Sequence, residues 1–174
     1  MELLIVSDSH GRVENIQFAL ERQVKVPDAI LFLGDGLRDL DRAELYGIPV
    51  ISVRGNCDFY GFSSLCATPE ERVLQFGEYN IMMAHGHSLY VKHGPQRAIS
   101  RAAEAGADLL LYGHTHERLD KYIPEGEEIG GVVLKKPLRI FNPGSVGAPR
   151  DRRYSFGVIT IRGKDILTSH GEVN

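Results

Sequence analysis

The sequence predicts a single layered α/β domain, with two packed sheets and helices outside them. Three observations carry that expectation. Its length, 174 residues, falls within the roughly 100–200 residues of one ordinary domain. Short apolar runs alternate with helical periodicity through the first two thirds. The last third changes to closely spaced strand-like segments, and a layered α/β architecture takes both kinds of unit.

The apolar runs are Leu3 to Val6, Ala29 to Leu33, Val50 to Val53, Ile81 to Ala84 and Leu109 to Tyr112. They are short and lack polar alternation, which suits strands buried on both faces. Between the first two, Val13, Ile16 and Leu20 share one face of a helix expected over 12–23. A second helix opens at Pro95, carries Ala98, Ile99, Ala102 and Ala103, and stops near Gly106. Downstream, Arg118 to Ile123, Gly131 to Leu134, Leu138 to Phe141, Tyr154 to Ile161 and Asp165 to Ser169 read as strands. Turns such as Pro-Glu-Gly at 124–126 and Arg-Gly-Lys-Asp at 162–165 separate them. No repeat, low-complexity tract or linker divides the chain, so one domain is expected over 1–174.

Composition excludes several classes. With 43% hydrophobic and 25% charged residues, the chain is globular rather than disordered. Twenty Lys and Arg against 23 Asp and Glu give a net charge of −3, no footprint for extended nucleic-acid binding. Recognition of a single phosphate stays open. Cys57 and Cys66 form neither a CxxC pattern nor a disulfide ladder. The start Met-Glu-Leu-Leu-Ile-Val-Ser-Asp lacks the basic, then apolar, profile of a signal peptide. No run approaches the roughly 18 apolar residues of a membrane span. The expectation is a soluble cytoplasmic protein with no membrane partner.

The chemistry follows the apolar runs. They lead in turn to Asp8-Ser9-His10, Gly34-Asp35, Gly55-Asn56-Cys57-Asp58, His85-Gly86-His87 and Gly113-His114-Thr115-His116. Open α/β sheets place ligands at the carboxyl ends of strands, so parallel neighbouring strands would bring these groups to one patch. Residues i and i+2 of extended chain point the same way, pairing Asp8 with His10 and His114 with His116. Carboxylates, imidazoles and an amide suit divalent Mn, Fe, Co, Ni or Zn. So many ligands exceed one ion's needs and fit two ions about 3.5–4 Å apart, with Asp35 as the bridge. His93 and His170 belong to no cluster and read as structural. Asp39, Asp41 and Glu44 read as a solvated helix face, and Glu70-Glu71 and Lys135-Lys136 as surface pairs. Pro143-Gly144-Ser145-Val146-Gly147 lacks nucleophile-elbow spacing, and Gly34-Asp35-Gly36 lacks the third glycine of a dinucleotide fingerprint. A nucleophilic Cys57 is outweighed by its place inside the metal cluster.

In their order, Asp-x-His, Gly-Asp, Gly-Asn, His-Gly-His and Gly-His-Thr-His resemble the calcineurin-like metallophosphoesterase superfamily over residues 8 to about 147. The short chain and Asn142-Pro143-Gly144-Ser145 make it similar to the superfamily's small bacterial and archaeal phosphodiesterases. The resemblance implies a four-layer α/β/β/α sandwich. It also implies hydrolysis of a small phosphodiester by a hydroxide bridging two divalent ions, with Mn²⁺ the first choice and Ni²⁺, Fe²⁺, Co²⁺ or Zn²⁺ the alternatives. Carried over residue by residue, Asp8, His10, Asp35 and His116 surround one ion; Asp35, Asn56, His85 and His114 hold the other. Asn56 and His85 then serve the reaction as well as the metal, and His87 contacts substrate or supports the site.

Cys57 is the departure. Many superfamily members carry His there, where it stabilises the transition state or protonates the leaving group. A thiol, with an ordinary pKa near 8.5, is a weaker acid than an imidazolium, so diesters or activated leaving groups are expected. A phosphomonoesterase or nucleotide pyrophosphatase on the same site is the alternative, and a non-catalytic scaffold like the retromer subunit Vps29 a further one. Leaving-group pockets are expected in loops such as 57–69 and 86–95. The resemblance also implies a homodimer or higher homo-oligomer.

Overall fold

A computed structural model describes residues 1–58 and 67–173. Cys66 and most of the 57–69 loop therefore lie outside the described residues. The chain runs β1 (Glu2–Val6), α1 (Val13–Glu21), β2 (Ala29–Phe32), α2 (Leu37–Leu40), β3 (Val50–Ser52), β4 (Glu71–Phe76) and β5 (Tyr79–Ala84). A 3₁₀ turn at Val91–His93 leads to α3 (Gln96–Glu104), β6 (Leu109–Tyr112) and β7 (Arg118–Ile123). The chain ends with β8 (Glu128–Ile129), β9 (Val132–Val133), β10 (Leu138–Pro143), β11 (Ser155–Arg162) and β12 (Asp165–Glu172).

Two five-stranded sheets form, in the orders β12-β11-β1-β2-β3 and β4-β5-β6-β10-β7. Within the first, β1, β2 and β3 are parallel while β11 and β12 run antiparallel. In the second, β5, β6 and β10 are parallel, flanked by antiparallel β4 and β7. The five apolar runs are thus not one row of neighbours. Three sit in one sheet and two in the other.

Alternate residues of a strand face opposite sides, and here both sides are buried. Leu3, Ile5 and Leu31 meet Met83, Leu111 and Phe141 between the sheets. Leu4, Val6, Ile30 and Phe32 turn outward onto Ile16 and Leu20 of α1 and Leu37 and Leu40 of α2. On the opposite flank, Met82, Leu110 and Ile140 pack on Ala98, Ile99 and Ala102 of α3. The result is the four-layer α/β/β/α sandwich, and its doubly buried strands explain why the runs show no polar alternation. Two expectations need correcting. The strand at Gly131 to Leu134 shrinks to β9, half of a two-residue hairpin with β8. Glu71, read as surface, begins β4, an edge strand whose mixed polar sequence reflects its half-exposed face.

Phe141 is wholly buried between the sheets. The ring of His170 stacks 4.5 Å from it, and His170 Nε2 lies 2.8 Å from the Asn142 carbonyl, a structural use as expected. Phe141→Ala should cost about 3–5 kcal/mol. At roughly 2–4 °C per kcal/mol for a chain of this size, thermal denaturation should show Tm falling on the order of 10 °C.

Candidate metal centre

Strand ends deliver the site. Asp8 and His10 follow β1, Asp35 follows β2, Asn56 and Cys57 follow β3, His85 and His87 follow β5, and His114 and His116 follow β6. Asp8, His10, Asp35, His114 and His116 all have left-handed backbone, with φ of 56°, 44°, 57°, 64° and 59°. Asp and His tolerate that region better than most residues, yet it remains costly. The glycines serve close approach: a Cβ on Gly34 would lie 2.6 Å from the Gly55 nitrogen, so the ends of β2 and β3 could not come together.

A second tier of polar groups holds these turns in place. The Asp58 carboxylate accepts the backbone N–H groups of Asp35, Gly36, Leu37 and Gly55 at 2.8–2.9 Å. Asp39 is buried rather than solvated. It accepts the Ser9 hydroxyl at 2.5 Å and the Gly11 N–H at 2.8 Å, because the single turn of α2 packs under the His10 loop. Asp41 and Glu44 do lie exposed. Asn142 donates to the Gly113 carbonyl and to Thr115 Oγ1 at 3.0 Å, and Ser145 donates to the Asp8 carbonyl at 2.7 Å. The work of Asp58, Asn142 and Ser145 is not legible in the sequence. Their only sequence signal was a place inside or just after the motifs.

The predicted ligands come together. Asp8 Oδ1 lies 3.1 Å from His116 Nε2, 3.8 Å from His10 Nε2 and 4.0 Å from His85 Nε2. Asp35 Oδ2 lies 3.4 Å from His85 Nε2 and 3.9 Å from His10 Nε2. His85 Nε2 is 3.2 Å from both Asn56 Oδ1 and His114 Nδ1. Among the described residues, three groups have all their candidate ligand atoms within 4.8 Å of one another: Asp8, His10 and His116; Asp35, His85 and His114; and His10, Asp35 and Cys57. His87 stands apart, its ring 5.4 Å from that of His85. It faces Glu70 at 3.8 Å, and Glu70 in turn pairs with Arg54 at 2.7 Å.

The donor set fits a cation. His85 Nδ1 lies 2.7 Å from the Leu33 carbonyl and His116 Nδ1 lies 2.6 Å from the Ala148 carbonyl. A carbonyl can only accept, so each Nδ1 carries a hydrogen and, in the neutral ring, each Nε2 turns a lone pair toward the carboxylates. Asp8 Oδ1 is buried with no hydrogen-bond partner among the described residues. Buried acceptors are normally satisfied, and converging lone pairs without donors are what a divalent ion satisfies.

Burial opposes ionisation of Asp35, but His85 and the Cys57 amide hold its carboxyl well below the usual range. Burial and Asp35 push the Cys57 thiol up to about 11, so it is neutral. Burial, with the charges of His85 and Lys92, draws His114 down to about 4. Burial and His85 also lower His87. The Asp8 carboxylate beside it raises His116, and Asp35 and Asp8 raise His85 against burial.

No helix among the described residues is long and apolar enough to cross a membrane. The chain is 34% identical over 162 residues to a probable metallophosphoesterase, YsnB, of Bacillus subtilis, covering 92% of this chain and 85% of that one. Its fold matches that of a conserved uncharacterised protein and predicted phosphoesterase of Streptococcus pneumoniae with a TM-score of 0.74 and 26% identity, over 99% and 89% of the two chains. A structure described as a novel archaeal phosphodiesterase shares the fold with a TM-score of 0.67 at 20% identity, over 98% and 99%. The model of the calcineurin-like phosphoesterase superfamily domain matches residues 1–164. The motif order, the ligand geometry and that match agree, and the chain belongs to the calcineurin-like phosphoesterase superfamily.

Proposed function

We propose that the chain is a divalent-metal-dependent phosphodiesterase with a two-metal site. The observation that carries this reading is the pair of ligand groups, Asp8–His10–His116 and Asp35–His85–His114, side by side around a buried carboxylate oxygen that lacks a donor. Asp8, His10, Asp35 and His116 would hold one ion, and Asp35, Asn56, His85 and His114 the other, with Mn²⁺ the expected metal. Such ions supply Lewis acidity, activating water and offsetting charge on a phosphoryl group.

The chain's own residues set the preference. Two divalent ions against Asp8 and Asp35 leave a positive centre in an acidic protein, which draws a phosphate anion. The exposed Asn56 amide, held 3.2 Å from Cys57 Sγ, orients the phosphate. Cys57, a neutral thiol with a raised pKa, is a poor proton donor for an alkoxide leaving group. That favours diesters and activated leaving groups. The name of the B. subtilis relative and the archaeal phosphodiesterase fit this reading.

With Mn²⁺ present, bis(4-nitrophenyl) phosphate should turn over faster than 4-nitrophenyl phosphate. Chelation or Asp35→Asn should lower that turnover by more than about 100-fold, beyond the loss typical of changes outside the ligand shell. Cys57→His should shift the ratio toward the monoester. A wild-type preference for the monoester would instead make this a phosphomonoesterase.

Asp58→Ala removes four backbone anchors and no ligand. Metal affinity measured by calorimetry should fall about 10–100-fold, as for other outer-shell losses.

The histidines make the metal-free protein pH-sensitive. His85 and His116, with raised pKa values, contribute stability fully present below about 6.5 and lost as pH rises through their folded values. His114 and His87, with lowered values, contribute stability present above about 6.5 and lost as pH falls. Metal-free Tm should therefore peak near pH 6.5, with Asp35 adding a further loss in strong acid. Mn²⁺ must displace the protons of His85 and His116, so its stabilising effect in the same scans should grow as pH rises.

A further inference from the structure

A groove of about 640 Å³ begins beside the candidate metal centre and runs along the outer face of the second sheet. Thr115, between His114 and His116, lines its near end. The Arg150 N–H, also at that end, donates to the His116 carbonyl at 3.2 Å. Lys92 lies there as well, and its charge acts on both His114 and His116. Residues of the 86–95 loop, where a leaving-group pocket was expected, thus do shape a cavity. Its volume is that of an ordinary small-molecule site.

Its apolar wall is built by Ile99 of α3, Leu119 of β7, Ile140 of β10 and Ile129 of the β8–β9 hairpin. Tyr112, Thr115 and Gln96 add uncharged polar side chains to that lining. The Tyr112 side chain is only 4% exposed, and its hydroxyl, which is not one of the buried unpaired atoms, is open to the groove that the ring lines. The rim is balanced in charge. Lys92, Lys121 and Arg150 oppose Glu117, Glu127 and Glu128, while Arg118 is tied to Asp151 and Glu172 at 2.8 Å. A polyanion would meet the three acids, and a lipid chain would leave the rim and the hydroxyl unpaired.

We infer that this groove is the subsite for one substituent of the phosphodiester, a neutral, nucleoside-sized group with an apolar face and hydrogen-bonding edges. The inference rests on the phosphodiesterase reading above and goes further by naming what the diester carries. Tyr112 donates to an acceptor on the ring edge, the isoleucines and Leu119 cover its faces, and the mixed rim meets its hydroxyl groups.

Two diesters with the same leaving group test it: the 4-nitrophenyl ester of thymidine 5′-monophosphate and methyl 4-nitrophenyl phosphate, each with Mn²⁺. For the wild-type protein, kcat/KM for the thymidine ester should exceed that for the methyl ester by at least about tenfold. Tyr112→Phe should cut this ratio about fivefold, the value of one lost hydrogen bond. Ile129→Trp, filling the groove from its hairpin wall, should bring the ratio close to one. A ratio taken on a single preparation does not depend on how much of a variant folds. Turnover of both esters with a wild-type ratio near one, or with a ratio that neither variant changes, overturns the groove assignment alone. Turnover of neither ester overturns the phosphodiesterase reading and the groove with it.

Discussion

Asp8 and Asp35 lie almost wholly buried, within 4.0 Å of the same His85 nitrogen, and the molecule is organised around keeping that pair where it is. Two carboxylates in a low-dielectric interior repel each other and resist ionisation. They persist because imidazoles crowd around them and backbone amides point at them. Cys57 N–H donates to Asp35 at 2.7 Å, and His114 N–H donates to Asp8 at 3.0 Å. What remains unmet, above all at Asp8 Oδ1, is a demand for positive charge. A fold that concentrates such demand at one point is committed to a cation.

The sandwich is the means of meeting that constraint. A strand buried on both faces has little freedom to slide, since a one-residue slip would turn every side chain to the wrong core. Its carboxyl end is therefore a fixed point from which a short turn can aim a side chain. The cost appears in the five candidate ligand residues with left-handed backbone, a local strain stabilised by the packing of the three cores. Asp58, Asp39 and Ser145 add the hydrogen bonds that keep those turns from relaxing.

What could be read in the sequence follows from the same physics. Doubly buried strands leave uninterrupted apolar runs, and turns at their ends must carry the ligands immediately afterwards, so the fold class and every candidate ligand stood out in order. β4 did not, because an edge strand with a half-exposed face keeps charged residues such as Glu71 and Arg72. The buried state of Asp39 was hidden because periodicity describes a helix's own faces, not a loop lying across it. Asp58 looked like one more polar residue in a motif, since backbone N–H donors have no letter in the sequence. The groove was hidden for a related reason: Tyr112 ends an apolar run, and only the three-dimensional arrangement shows its hydroxyl open to the groove.

The division of the candidate ligands between the two sheets has a mechanical side. His10 and His116 are 106 positions apart in the chain, yet their ring nitrogens are neighbours across the top of the sandwich. An ion gripping both would act as a cross-link, closing a very long loop in the way a disulfide does in secreted domains. It would do so in a chain whose described cysteine, Cys57, is a free thiol. The cofactor would then also be a rivet, fastening the two leaves of the sandwich at the edge where the apolar filling between them gives out.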